Sequence, residues 1–399
     1  MAKFWSTLKN IVIVLLLCSI LWLTFLALPN SLRSSLPRPL QGLLGMEAAG
    51  ESAAIPHRQV TAAGMPLSIS LSKDGSRATV RRSAAALEET YRSLSPYLGQ
   101  ALASAGALQS ATEEDLHKAL EQGALFSFGG SIPAGTLCLW LTGQESNLAA
   151  GASDFLLSAQ GKQVTLYLVG SEVFRCSTAL SSSVLLGAMN TTPDGTGFAP
   201  AESGLHPLTL WEQDVILPTW TASHPVTAEF ATRLAVSLGL NPYGSAYTDP
   251  SGNTVFTETH WSLAVAADGT VTVAVTDSDV ARFTAAENTP TEKIELVRSL
   301  LAVLTAELEG QQQLQLLSAQ EDTIAFTYVL EGVPVLPAAC TAEFDGRTMT
   351  RLTLHLRSYQ PTGSTYTMMP LSAAASLAQE GSRLTPAYSL SAACGWTEG

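Results

Sequence analysis

The chain is short of charge. Only 14% of its 399 residues are Asp, Glu, Lys or Arg, against about 25% in an average soluble domain. It is shorter still of basic residues. Lys3 and Lys9 precede an apolar stretch, and from residue 30 onward 19 basic side chains face 34 acidic ones, a net charge of −15. Such a field repels nucleic acid, whose binding rests on Lys and Arg at phosphates, so no nucleic-acid partner is expected. Cysteine is also scarce. Cys18 lies in the apolar stretch, and Cys138, Cys176, Cys340 and Cys394 are widely spaced, with no CxxC and no metal-ligand spacing to a histidine. These four read either as buried free thiols or as one or two disulfides of an exported domain.

Catalytic signatures are missing as well. No GxSxG, GxxxxGK[ST], HExxH or strand-associated GxGxxG occurs, and no cofactor is expected. The six histidines are scattered. His206 and His224 precede prolines and read as loop residues, and His260 lies on a wet strand face. "DSDVARFTAAE", from Asp277, lacks the third ligand spacing and central Gly of a calcium loop. In "RLTLHLRS", Leu352, Leu354 and Leu356 share one face. Arg351, His355 and Arg357 then share the other, a basic patch that can contact a carboxylate or phosphate or be a plain solvated strand face.

What the chain does have is "NIVIVLLLCSILWLTFLALP", residues 10 to 29, without a charge. Ile11 to Leu28 spans about 27 Å as helix, close to the ~30 Å hydrocarbon core. It ends Leu26-Ala27-Leu28-Pro29, lacking the small-x-small site at which a secretory signal is cut. A retained anchor is therefore expected over a cleaved signal. The basic leader puts the amino end inside, with Phe4 and Trp5 at the inner interface. The expectation is a single-pass protein of the cell membrane, in contact with the bilayer through residues 10–28, with an extracytoplasmic body. Leu15, Ser19, Trp22 and Leu26 fall on one seam of that helix, which either docks a partner helix or faces lipid.

Along the body, "strand, Asp-Gly, strand" recurs at Asp74-Gly75, Asp268-Gly269 and Asp345-Gly346, a tight-hairpin signal each time. Helices are expected between the hairpins. One starts near Ser83 and breaks or restarts at Pro96; one is capped by Thr112; one runs from Val226 to Leu238; one starts at Thr289-Pro290 and ends at Gly310; a last one covers Leu371 to Glu380. "TLCLWL" and "QVTLYLVG" read as strands, and residues 181–207 as loop. The fold class is α+β: one amino-terminal transmembrane helix, then repeated antiparallel-sheet-plus-helix units. Expected boundaries are a leader at 1–9, the span at 10–28, a Pro-rich stalk at 29–62, and α+β units at 63–222, 223–310 and 311–399.

"SLGLNPYGSAYTDPSGNTVFTETHWSLAVAADGTVTVAV", "YVLEGVPVLPAACTAEFDGRTMTRLTLHLRSY" and "ALEQGALFSFGGSIPAGTLCLWLTG" resemble the YycH/YycI-like accessory proteins of Gram-positive bacteria. The resemblance implies a membrane-anchored, non-catalytic regulator that associates with a sensor histidine kinase of the cell-wall two-component system, and with a paralogous regulator, partly through transmembrane contacts. It also implies a further strand after "LTPAYSLSAACGWTEG", so the third unit is expected to be atypical or incomplete. It brings no catalytic residues. The rival classes are a membrane-tethered wall hydrolase or esterase, marked by converging carboxylates or a Ser beside a His, and a peptide-binding or protease-inhibitor module, marked by an uncovered apolar strand edge.

Overall fold

The computed structural model describes residues 64–398 apart from 74–75, 82–84, 145, 147, 190–194, 213, 225, 245, 277–280, 307 and 309–312. The expected anchor, its seam residues Leu15, Ser19, Trp22 and Leu26, and the whole of the stalk lie outside the described residues. Among the described residues no helix is long and apolar enough to cross a membrane.

The first half is built on β1 (Ser68–Lys73), β2 (Ser76–Arg81), α1 (Ala85–Ala103), β3 (Gln109–Ser110), α2 (Glu113–Ala119), β4 (Gly123–Pro133), α3 (Ala134–Thr142), β5 (Gly151–Ser158), β6 (Gln163–Val169), β7 (Val173–Ser181) and α4 (Ser182–Ala188). Its strands form a seven-stranded antiparallel sheet in the order β2-β1-β4-β5-β6-β7-β3. One face, with Ile69, Phe126, Phe155 and Leu168 in register across four strands, joins the core with Leu87, Tyr91, Leu94 and Leu98 of α1. The period-3.6 stripe of α1 is thus what covers the sheet. The other face packs Leu125, Leu156 and Tyr167 under Leu116 and Leu120 at α2.

Three expectations need correction here. Pro96 does not break α1, which runs through it. Pro96 and Arg92 both lie on the exposed side, so water can take the carbonyl that the missing N–H leaves free. "TLCLWL" is the helix α3, not a strand. Thr136 apart, the run is apolar all round, with Leu139 and Leu141 half-buried and the rest buried, a case in which hydrophobicity carries no period to read. At the α1–α3 crossing a Cβ on Gly99 would sit 2.8 Å from Thr142 Cγ2, so a bare backbone is what lets the two helices close. The third correction is α4, which lies inside the expected loop of 181–207.

The second half comprises β8 (Ile216–Ser223), α5 (Ala228–Ser237), β9 (Ala246–Thr248), β10 (Thr254–Thr257), β11 (Trp261–Val265), β12 (Thr270–Val275), α6 (Pro290–Leu304), β13 (Gln313–Ala319), β14 (Thr323–Leu330), β15 (Val333–Leu336), β16 (Cys340–Asp345), β17 (Thr348–His355), β18 (Ser358–Thr367), α7 (Leu371–Ala375), β19 (Leu384–Ser389) and β20 (Cys394–Glu398). At each of the three Asp-Gly signals the flanking strands pair, β1 with β2, β11 with β12 and β16 with β17; Asp74 and Gly75 themselves lie outside the described residues. The last two do not found separate sheets. β12 pairs with β17, Val273 opposite Leu352, so pairing runs across residue 310 within one eleven-stranded sheet. Trp261, Leu263, Val271, Val273, Leu352 and Leu354 share a core with Ile294, Val297 and Leu301 of α6.

Helix α6 starts as expected, with Thr289 Oγ1 accepting from Glu292 N and Pro290 in the first turn, but it stops at Leu304, short of Gly310. Helix α7 likewise stops at Ala375, short of Glu380. The segment expected to need a further strand supplies two of its own. β19 and β20 pair with each other, and β19 joins the sheet through a parallel pairing with β15. Cys138, Cys176, Cys340 and Cys394 are free thiols. Burial pushes the Cys176 thiol up to about 11.

Candidate functional site

A polar row crosses the first sheet. The pairing register sets Arg81 of β2 opposite Ser68 of β1, Ser68 opposite Ser127 of β4, and Ser127 opposite Asp154 of β5. Because neighbours in a ladder point the same way, all four side chains emerge on one face. Beside them is a cavity of about 340 Å³ lined by Leu67, Leu210, Leu317, Leu336, Pro386 and Trp396 among others. Its walls come from the first sheet, from the 208–212 segment and from β13, β15, β19 and β20.

Two ion pairs hold this region. Asp154 is only 1% exposed and bonds Arg383, which directly precedes β19. Ser127 Oγ donates to Asp154 Oδ1 at 2.5 Å and Ser153 Oγ to Asp154 Oδ2 at 2.7 Å. Arg81 pairs with Glu212, which also accepts from Thr196 Oγ1 at 3.3 Å. The backbone presents Arg383: Gly381 N donates to Gly204 O and His206 N to Ser382 O. His206 sits next to this network, and its pKa is lowered, first by burial and then by the Arg383 charge.

Chemically, the Asp154 carboxylate is spent on a guanidinium and two hydroxyls rather than on orienting an imidazole. Ser127, whose hydroxyl donates to that carboxylate, has no base in this arrangement. The row reads as a clamp between the two sheets. Gln315 of β13, 1% exposed, adds a second one through Nε2 to Phe128 O at 3.0 Å and Met65 O at 2.9 Å.

The sequence pattern does put Arg351 and His355 on the same side of β17. Arg351 is exposed and lies in register with Glu343 and Ala274. His355 is half-buried, its Nδ1 3.1 Å from Thr270 Oγ1, and burial followed by Arg357 lowers its pKa. Arg357 falls beyond the strand and donates to Asp268 O at 2.7 Å and Leu356 O at 2.8 Å. It opens onto a separate depression with His224, Ser389 and Ser391. Asp154 and Arg383 are the residues that sequence reading missed. The available signal was an acid, Asp154, just before the apolar run "FLL", where burial demands a partner.

No family model matches the chain, and no curated protein matches it. A crystal structure of YycH from Bacillus subtilis does, with a TM-score of 0.52 over 84% of this chain and 93% of that one, at 13% identity. The fold is YycH-like. The resemblance noted from sequence therefore holds at the level of the fold, and coverage this broad takes in both sheets together rather than one hairpin.

Proposed function

We propose that the chain is a membrane-anchored, extracytoplasmic, non-catalytic regulator of a sensor histidine kinase, acting in two-component control of the cell wall. The YycH-like fold over 84% of the chain is the observation that carries this reading. The commitment of Asp154 to Arg383 supports it, since the most buried carboxylate of the site ties sheets together instead of serving chemistry. A regulator of this kind works by binding two kinase states with unequal affinity. The seam Leu15, Ser19, Trp22 and Leu26 is the proposed contact with the kinase's own membrane helix.

The test is crosslinking in intact cells, followed by native-membrane purification and mass identification of partners. A sensor kinase is expected, and Ser19→Leu with Trp22→Ala is expected to lower its yield about fivefold, an interhelical coupling of about 1 kcal/mol. Retrieval of no sensor kinase, or a mature chain released to the medium lacking residues 1–28, overturns the proposal.

A further inference from the structure

The cavity beside the polar row is built to hold something. Its volume of about 340 Å³ equals that of about eleven waters at about 30 Å³ each. That lies within the range of small-molecule sites, which combine apolar walls with a few polar groups. Leu67, Leu210, Leu317, Leu336 and Trp396 line it and remain only half-buried. Large apolar side chains from five separate segments therefore converge on one hollow without filling it.

Three observations define what fits. First, Arg383 lines the cavity, and although its two terminal nitrogens reach Asp154 and Ser127, its Nε is buried without a partner. A buried N–H in want of an acceptor is costly, and a ligand oxygen relieves it once the Arg383 side chain turns enough to bring Nε to the cavity surface. Second, the positive charges at the wall are already matched, Arg383 by Asp154 and Arg81 by Glu212, while Glu398 adds a negative one. Among the described residues at the wall an anionic ligand would find no free cation, so the acceptor belongs to an uncharged group. Third, Pro334 of β15 and Pro386 of β19 stand at the wall. Neither has an N–H to offer, which works against an extended peptide adding itself as a strand.

We infer that this cavity binds an uncharged amphiphile, an apolar chain of about ten carbons with an ester or amide carbonyl that accepts from Arg383 Nε. The chain lies among Leu210, Leu317 and Trp396. The inference stands on the cavity alone and does not need the kinase reading.

The test uses membranes containing the full chain and a diazirine-bearing monodecanoylglycerol, with labelled peptides mapped by mass spectrometry and normalised to labelling elsewhere on the chain. Label is expected on the segments carrying Leu210, Leu317 and Trp396. Unlabelled monodecanoylglycerol should compete at least tenfold better than decanoate or an apolar tripeptide. Leu210→Trp, which fills the cavity, should cut labelling at least tenfold. Arg383→Lys keeps the charge beside Asp154 but removes Nε–H, and should cut it severalfold. Equal competition by decanoate, better competition by the tripeptide, or undiminished labelling of a folded Leu210→Trp variant overturns the inference. If that variant does not fold, the competition series on the unaltered chain decides alone.

Discussion

Asp154 and Arg383 stand 229 positions apart in the chain and meet as a largely buried ion pair that joins the two sheets. Asp154 also carries Ser127 and Ser153 hydroxyls, so nearly every lone pair of a carboxylate that is 1% exposed has a donor. Such a pair adds little over an apolar isostere, yet removing one partner strands the other. Arg383→Met is therefore expected to cost about 3–5 kcal/mol, and Asp154→Leu combined with Arg383→Met to recover most of that. Urea unfolding of the three variants measures it. A single-variant loss below about 1 kcal/mol would show that the clamp contributes nothing.

A second contact between the halves depends on backbone alone. The β4–β5 register shifts between Ser127 and Ile132, and β13 approaches at that bulge. A Cβ on Gly130 would lie 2.4 Å from Leu317 O and 2.5 Å from Leu317 Cα. Gly130→Ala is expected to destabilise by about 1–3 kcal/mol, as overpacking does. Gly187→Ala in α4, where a Cβ meets nothing within 4 Å, should stabilise by about 0.5–1 kcal/mol. Thermal unfolding of the two variants in parallel checks both signs.

These two contacts show where sequence reading stops. The Asp-Gly hairpins were legible because two residues specify the turn and alternation specifies the face; so was the start of α6, set by Thr289 and Pro290. Each is a local cause. The pairing of β12 with β17 joins segments about 80 residues apart, and nothing in either strand names the other, since any Val- and Leu-rich face would serve. The same holds for Asp154 with Arg383. His355 was placed on the correct face by period 2, while its bond to Thr270 required that same cross-strand register. Helix α3 failed for a different reason: apolar side chains on nearly every side erase the period that tells helix from strand.

The pH dependence of stability follows from His206 and His355. Both have folded pKa values below the ordinary 6.5, chiefly because burial disfavours the charged ring, with Arg383 and Arg357 adding repulsion. Facing groups temper this: Asp154 and Glu113 near His206, and Asp268 near His355, act the other way but do not reverse it. A histidine whose pKa is depressed on folding binds its proton more readily when unfolded, so stability rises with pH through that range. The contribution is fully present above about 6.5, falls as pH drops through it, and is gone below the folded values. The folded carboxylates Asp249 and Asp268 are held low by backbone N–H groups, so their losses begin only nearer pH 4. Between pH 7 and 5 the histidines should therefore dominate. Urea midpoints are expected to fall over that window in the unaltered chain and to flatten in His206→Gln with His355→Gln. A midpoint that rises on acidification to pH 5, or a slope unchanged in the double variant, would mean that neither ring is held neutral by the fold.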